Sequence, residues 1–248
     1  MDVVPGVERL RPEHGPVFAV IGVFDGLHQG HIYLLDHLVR EALTRGARPC
    51  VVTFDHHPDE VLTGSAPPLL LHPEERVARL ADAGVEVTVV QHFDDAVRHT
   101  TYDQFLGAIR RGAELAGLLM TPDAAFGYER AGTPAAVREL GDREGFDLVV
   151  VDPLEIDGAA VRSSDIRAAI ARGDLEGAQR LLGRPVALRG SVRAGRLTFD
   201  WPMAMPPSGE YAVVIDGRHC SVRIDGTTVE VPFADPAPDG PVRLEFVS

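Results

Sequence analysis

The chain has 248 residues, 45% of them hydrophobic, and a formal net charge of −13. That length suits one large domain, or a medium domain with a small one, and the acidic balance argues against a nucleic-acid-binding surface, which needs a basic patch. No apolar run approaches the roughly 18 residues of a membrane span, and the N-terminus lacks the basic and apolar segments of a signal peptide, so a soluble cytoplasmic protein with no membrane partner is expected.

Pro16–Gly22 reads as an apolar strand buried on both faces. A glycine-rich turn follows, and Ile32–Thr44 carries apolar residues at helical spacing, with Gly46 as its stop. Pro49–Phe54 is a second buried strand, which completes a right-handed βαβ unit. Asp55–His72, rich in Pro, His and Gly, is expected to be a long functional loop. Pro73–Ala83 predicts a helix, Val85–Gln91 a strand, Tyr102–Arg111 a helix, Gly117–Thr121 a strand, Thr133–Arg143 a helix and Asp147–Val151 a fifth strand. This alternation means an α/β domain built on a Rossmann-like doubly wound parallel sheet. Ligands of such sheets bind at the carboxyl ends of the strands, where His28, Asp55 and Asp123 fall.

Ser163–Ala171 and Asp174–Leu182 predict two short helices. From Val186 the pattern changes to short alternating segments, Arg189–Arg193, Glu210–Asp216, His219–Ile224, Thr227–Pro232 and Val242–Val247, with hairpin signals at Asp216-Gly217 and Asp225-Gly226. The expected division is an α/β domain over residues 1–184 and a small all-β module over 185–248.

All 24 basic residues are arginine. Mechanisms that need a lysine are thereby excluded, and cationic contacts to phosphate fall to arginine, histidine, backbone amides or a metal. The two cysteines, Cys50 and Cys220, are too few for a disulfide framework or a zinc site and read as buried hydrophobes.

Phe18-Ala-Val-Ile-Gly-Val-Phe-Asp-Gly-Leu-His-Gln-Gly-His31 is a strand, a glycine turn and a helix start. Glycines let the backbone approach an anion, and a helix N-terminus offers N–H groups and a positive dipole end. His28 and His31 at that junction suit phosphate oxygens or a metal. Ser163 and Ser164 open a second helix, with Arg167 one turn in, and can serve the same anion. Asp55-His-His-Pro58 and Asp123 are polar loop residues beyond strand ends.

Gly22-Val-Phe-Asp-Gly-Leu-His-Gln-Gly-His31 closely resembles the signature of the HIGH-type nucleotidylyltransferases, and more narrowly the adenylylation module of bacterial bifunctional riboflavin kinase/FAD synthetase. Val52-Thr-Phe-Asp-His-His-Pro58 resembles that family's T-F-x-P-H-P loop, Asp123-Ala-Ala-Phe-Gly127 its [DN]-F-x-F-G segment, and Val161-Arg-Ser-Ser-Asp-Ile-Arg167 its V-S-S-T-x-I-R motif. The resemblance runs in register from residue 16 to about 193. It implies ATP as substrate, Mg²⁺ bridging the phosphates, and FMN as the phosphorylated acceptor. It implies that His28, His31 and Arg167 are catalytic, and that Gly22, Phe24, Asp25, Gly26, Gly30, Ser163 and Ser164 join them in holding the nucleotide. Phe54, His57, Pro58, Asp123, Phe126, Gly127 and Arg162 are implied on the acceptor side.

The sequence departs from the family pattern at His56, which replaces a proline of the T-F-x-P-H-P loop, and at Thr121, Ala124, Arg162 and Ser164. Most of these lie on or beside the acceptor side, which keeps two alternatives open: nucleotidyl transfer, from CTP for example, to a different phosphorylated acceptor, or a non-catalytic flavin- or nucleotide-binding regulator. In the family a riboflavin kinase barrel follows, with a G-F-P-T-A-N loop. Here Gly190-Ser-Val-Arg-Ala-Gly195 runs directly into Arg196-Leu-Thr-Phe-Asp-Trp-Pro-Met, without that loop. The module is expected to be truncated, too short for the full barrel, and without kinase activity. The sequence assigns neither an oligomeric state nor protein ligands to a metal.

Overall fold

A computed structural model describes residues 1–193, 195–231 and 240–247. The elements run β1 (Asp2–Val4), β2 (Val17–Ile21), α1 (Gln29–Thr44), β3 (Arg48–Phe54), α2 (Pro58–Thr63), α3 (Pro73–Asp82), β4 (Val87–Gln91), α4 (Asp95–Arg98), α5 (Tyr102–Gly112), β5 (Leu115–Met120), α6 (Pro134–Glu144) and β6 (Asp147–Val150). They continue with β7 (Glu155–Ile156), β8 (Ala159–Ala160), α7 (Ser163–Ala171), α8 (Leu175–Leu182), β9 (Ala187–Arg193), β10 (Arg196–Thr198), β11 (Gly209–Ile215), β12 (Arg218–Asp225), β13 (Thr228–Glu230) and β14 (Gly240–Phe246).

The chain divides into two compact units, and the segment 25–30 belongs to the second although its neighbours belong to the first. The first unit comprises Met1–Phe24, His31–Pro67 and Val77–Leu154. Its six-stranded sheet is parallel throughout, in the order β1-β4-β3-β2-β5-β6. Phe18, Ala19, Val51 and Val52 are wholly buried, as strands covered on both faces require. The strand order reverses beside β2, between β3 on one flank and β5 on the other, so the carboxyl end of β2 is the switch point. The five expected strands are present, and β1 joins as a sixth at the edge beside β4. The expected loop over Asp55–His72 contains a short helix: His57 caps α2 and Pro58 occupies its first turn.

The second unit comprises Asp25–Gly30, Pro68–Arg76 and Glu155–Ser248. Its last six strands form a closed barrel, β10-β13-β12-β11-β14-β9. The expectation that this stretch is too short to make the full barrel is therefore corrected in one respect: six strands suffice for closure, because β9 pairs with both β10 and β14. Alternation does the filling, with Val222 and Ile224 of β12 buried and their neighbours exposed. Both expected hairpin turns occur, and Asp216 and Gly217 each take positive φ (49° and 77°) as a two-residue turn between twisted strands demands. The barrel interior and the buried faces of α7 and α8 form one apolar core, in which Ile166, Ile170 and Leu182 join Leu188, Val213 and Leu244. Pro232, the end of the expected strand over 227–232, and Ala194 of the Gly190–Gly195 segment lie outside the described residues. No helix among the described residues is long and apolar enough to cross a membrane.

Candidate active site

The turn after β2 carries an unusual backbone. Phe24 and Leu27 have φ of 53° and 37°, and both are buried. Left-handed conformations of such residues cost on the order of 1–3 kcal/mol each and persist only where the surroundings impose them. Within the second unit those surroundings are polar and specific. The Asp25 carboxylate, only 3% exposed, accepts the Leu70 N–H at 3.0 and 3.1 Å and pairs with Arg167 Nη2 at 2.5 Å. Ser163 Oγ donates to the Asp25 carbonyl at 2.9 Å, and Arg184 Nη2 donates to the Gly26 carbonyl at 2.5 Å. Gly26 itself sits at φ 85°, where a Cβ would lie 3.0 Å from the Leu70 side chain.

This network presents two helix starts. α1 begins at Gln29, three residues earlier than the apolar spacing predicts, so His28 immediately precedes the helix and His31 lies in its first turn. α7 has Arg162 at its N-cap with no side-chain capping bond, so its leading N–H groups are not taken by a cap. A Cβ on Gly30 would stand 3.2 Å from both the His28 ring and the Val161 carbonyl, which brings the start of α1 close to the residue before α7. Glycine at that position permits the approach.

His28 is buried, and burial, followed by the positive charges of Arg184 and Arg167, pushes its pKa down to about 4. It is therefore neutral at physiological pH, with one ring nitrogen donating and the other accepting. His31 belongs to the first unit and packs against Phe24, ring centroids 5.1 Å apart. Arg167 spends Nε on the Pro68 carbonyl (2.8 Å) and Nη2 on Asp25, which leaves the remaining guanidinium donors for an anion. Arg184, whose tie to the turn is long-range, was not assigned a role from the sequence; its only signal there is the Gly183-Arg184-Pro185 string after α8. A cavity of about 510 Å³ adjoins it, lined by Gln29, Gln179, Arg180 and Arg184.

In the first unit, Phe54, His57, Pro58, Phe126 and Gly127 line one cavity of about 610 Å³, together with Gly22. Phe93 and Phe105, which sequence reasoning missed, complete its aromatic wall. Phe54 and Phe93 meet edge to face at 5.4 Å, and Phe105 and Phe126 at 6.3 Å. The volume and apolar walls suit a small-molecule ligand with a planar ring system. His57 Nδ1 accepts the Asp59 N–H at 3.2 Å. Arg98 and Arg130 also line the cavity, beside the acidic Asp59 and Glu129. Asp123 lies in a smaller neighbouring cavity of about 280 Å³, and Arg162 is an exposed residue of the second unit.

The sequence model of the FAD synthetase family matches residues 10–165. The bifunctional riboflavin kinase/FMN adenylyltransferase of Pseudomonas fluorescens is 34% identical over 197 residues, which are 79% of this chain and 63% of that protein. The chain thus spans less than two thirds of that relative's length. The protein of the same name from Escherichia coli strain K12 is 30% identical over 233 residues, 88% of this chain and 74% of the relative. A solved structure described as a macrolide-efflux protein from Streptococcus pneumoniae superposes with a TM-score of 0.84 over 99% of this chain and 88% of that one, at 22% identity, a likeness of fold alone. The chain belongs to the FAD synthetase family.

Proposed function

We propose that this protein is an FMN adenylyltransferase, converting ATP and FMN to FAD and pyrophosphate, without riboflavin kinase activity. The observation that supports it most is the buried, cross-tied turn from Phe24 to Leu27, which leads into His28 and the start of α1. An FMN phosphate oxygen attacks the α-phosphorus of ATP. A bond from that oxygen to phosphorus forms, the bond to the bridging oxygen breaks, and pyrophosphate departs. The attacking phosphate is already largely dianionic near pH 7, so the protein need not supply a strong base. Its work is positioning and neutralising charge on the transferring and leaving oxygens.

His28, neutral at physiological pH, and His31 each donate a hydrogen bond to those oxygens. The α7 N–H groups, with Ser163, Ser164 and Arg167, hold the departing pyrophosphate. The aromatic cavity takes the flavin ring of the acceptor, with Arg98 or Arg130 against its phosphate. The carboxylate of the turn, Asp25, is already committed to Arg167 and Leu70. The residues therefore fit a magnesium ion carried on the triphosphate and its waters better than one caged by the chain. When bound, that ion neutralises phosphate charge.

The support for absent kinase activity is the sequence after Gly190, where Arg196-Leu-Thr-Phe-Asp-Trp stands in place of the family's G-F-P-T-A-N loop. The test is purified protein with Mg²⁺, each nucleoside triphosphate in turn, and a panel of phosphorylated acceptors including FMN, followed by pyrophosphate release and product identification. FAD from ATP and FMN, with no FMN from riboflavin and ATP, is the expected result. Turnover only with another nucleotide–acceptor pair contradicts the reading, and ligand binding without turnover assigns a regulator instead.

A further inference from the structure

We propose that Asp55, His56 and His92 form a binding site for one divalent d-block ion, of the Zn²⁺ or Co²⁺ kind. The site is separate from the magnesium of the nucleotide.

Three ligand atoms, one from each residue, lie within 4.8 Å of one another in the first unit, and among the described residues this is the one such group of histidine, cysteine and carboxylate side chains. The three stand at the ends of two hydrogen-bonded parallel strands, Asp55 and His56 just after β3 and His92 just after β4. Asp55 is fixed before any ion arrives. Its Oδ1 accepts the backbone N–H of His56 at 2.8 Å and of Phe93 at 3.3 Å, and its own N–H is bonded to the Gln91 carbonyl at 3.1 Å. His92 Nδ1 lies 2.6 Å from Asp55 Oδ2, and His56 Nδ1 lies 3.2 Å from Asp55 Oδ1. The two imidazoles stand edge to face at 5.9 Å.

A tetrahedral ion at about 2.0–2.2 Å from each donor holds its ligand atoms roughly 3.3 Å apart. The Asp55 Oδ1–His56 Nδ1 separation already has that value, while His92 faces the other carboxylate oxygen, Oδ2, so ligation through one oxygen needs a small turn of the Asp55 carboxylate. The ion takes the place of the proton between Asp55 and His92, which then part by less than about 1 Å. Two imidazoles and one carboxylate prefer zinc, cobalt, nickel or copper over the oxygen-seeking Mg²⁺ and Ca²⁺. Three protein ligands leave a fourth position open to water. Phe54 and Phe93, which line the aromatic cavity, are the immediate chain neighbours of Asp55 and His92. A bound ion therefore pins together the two strand ends that carry this wall.

The test uses tag-free full-length protein treated with EDTA and then titrated with CoCl₂, read by its visible d–d absorption and by calorimetry. The expected result is one equivalent bound, displaced by stoichiometric Zn²⁺ and not by millimolar Mg²⁺. His92→Ala and His56→Pro each weaken binding at least about tenfold, since loss of a partner beyond the ligand sphere alone costs 10–100-fold. His92 is exposed, so its replacement leaves the fold intact, and circular dichroism checks this. No visible band in the wild-type protein, displacement by Mg²⁺, or unchanged affinity in both variants overturns the proposal. The outcome is independent of whether the protein makes FAD.

Discussion

The two sides of the proposed reaction are built differently. The turn from Phe24 to Leu27 is buried and over-determined, with its carboxylate and carbonyls tied to Arg167, Ser163, Arg184 and the Leu70 N–H. The acceptor cavity is walled by Phe54, Phe93, Phe105 and Phe126, and polar residues of its lining, among them His57, Asp59, Arg98 and Arg130, sit on loops and short helices. A polar network in a dry site fixes one geometry, because each lost bond strands a buried partner. An aromatic wall tolerates change in its rim. The departures from the family pattern do not line the acceptor cavity: Thr121 and Ala124 line its smaller neighbour, His56 adjoins His57, and Arg162 and Ser164 lie at the start of α7, while the two histidines and the glycine of the turn are intact.

The sharpest way to break the contrast is Asp25→Ala. It leaves the Arg167 guanidinium and the Leu70 N–H without their buried partner, a loss of about 3–5 kcal/mol for one member of such a pair. Urea unfolding is expected to show that loss, along with collapse of turnover. A loss under 1 kcal/mol would mean that the turn does not depend on this network.

His28 gives a pH signature. Its pKa in the folded protein, about 4, lies below the ordinary 6.5 because of burial and the nearby arginines. Between those values the unfolded chain binds more protons than the folded one, so stability rises with pH across this window. Stability supplied by the neutral ring is present above about pH 6.5 and is lost as pH falls through 4, on the order of 3 kcal/mol in all. His28→Gln should flatten the stability profile between pH 6.5 and 4 relative to wild type, and an unchanged slope would remove His28 as its source.

His31→Ala should lower kcat about 10²-fold, the usual cost of a preorganised donor to a transition-state oxygen, with the fold unchanged by circular dichroism. Smaller still is Phe126→Ala, expected to weaken FMN binding about tenfold while ATP affinity stays constant, as fits loss of an aromatic contact. An equal fall in both affinities would erase the distinction between the two sides.

Local patterns were legible in the sequence and distant ones were not. The α7 helix appears over Ser163–Ala171 as its serine start and apolar spacing indicate, and the two hairpin turns follow from their Asp-Gly pairs. Strand β1 was missed because three residues are too few to show a period, and its pairing with β4 spans more than eighty residues. Barrel closure depends likewise on β14 finding β9. At the site, His28, Ser163 and Arg167 were legible as residues, but not the fact that Arg167 divides its donors between the Asp25 carboxylate and the Pro68 carbonyl. Arg184 and the Leu70 N–H carry no local signal, since what they bond to lies far away in the chain.

The central claim is attack at the α-phosphorus, and the fate of labelled ATP tests it most directly. With FMN, Mg²⁺ and ATP carrying ³²P in the α-position, the label should pass into FAD, and with γ-labelled ATP it should leave in pyrophosphate. An α-label that remains in ADP or free AMP, with no labelled flavin, would contradict the account.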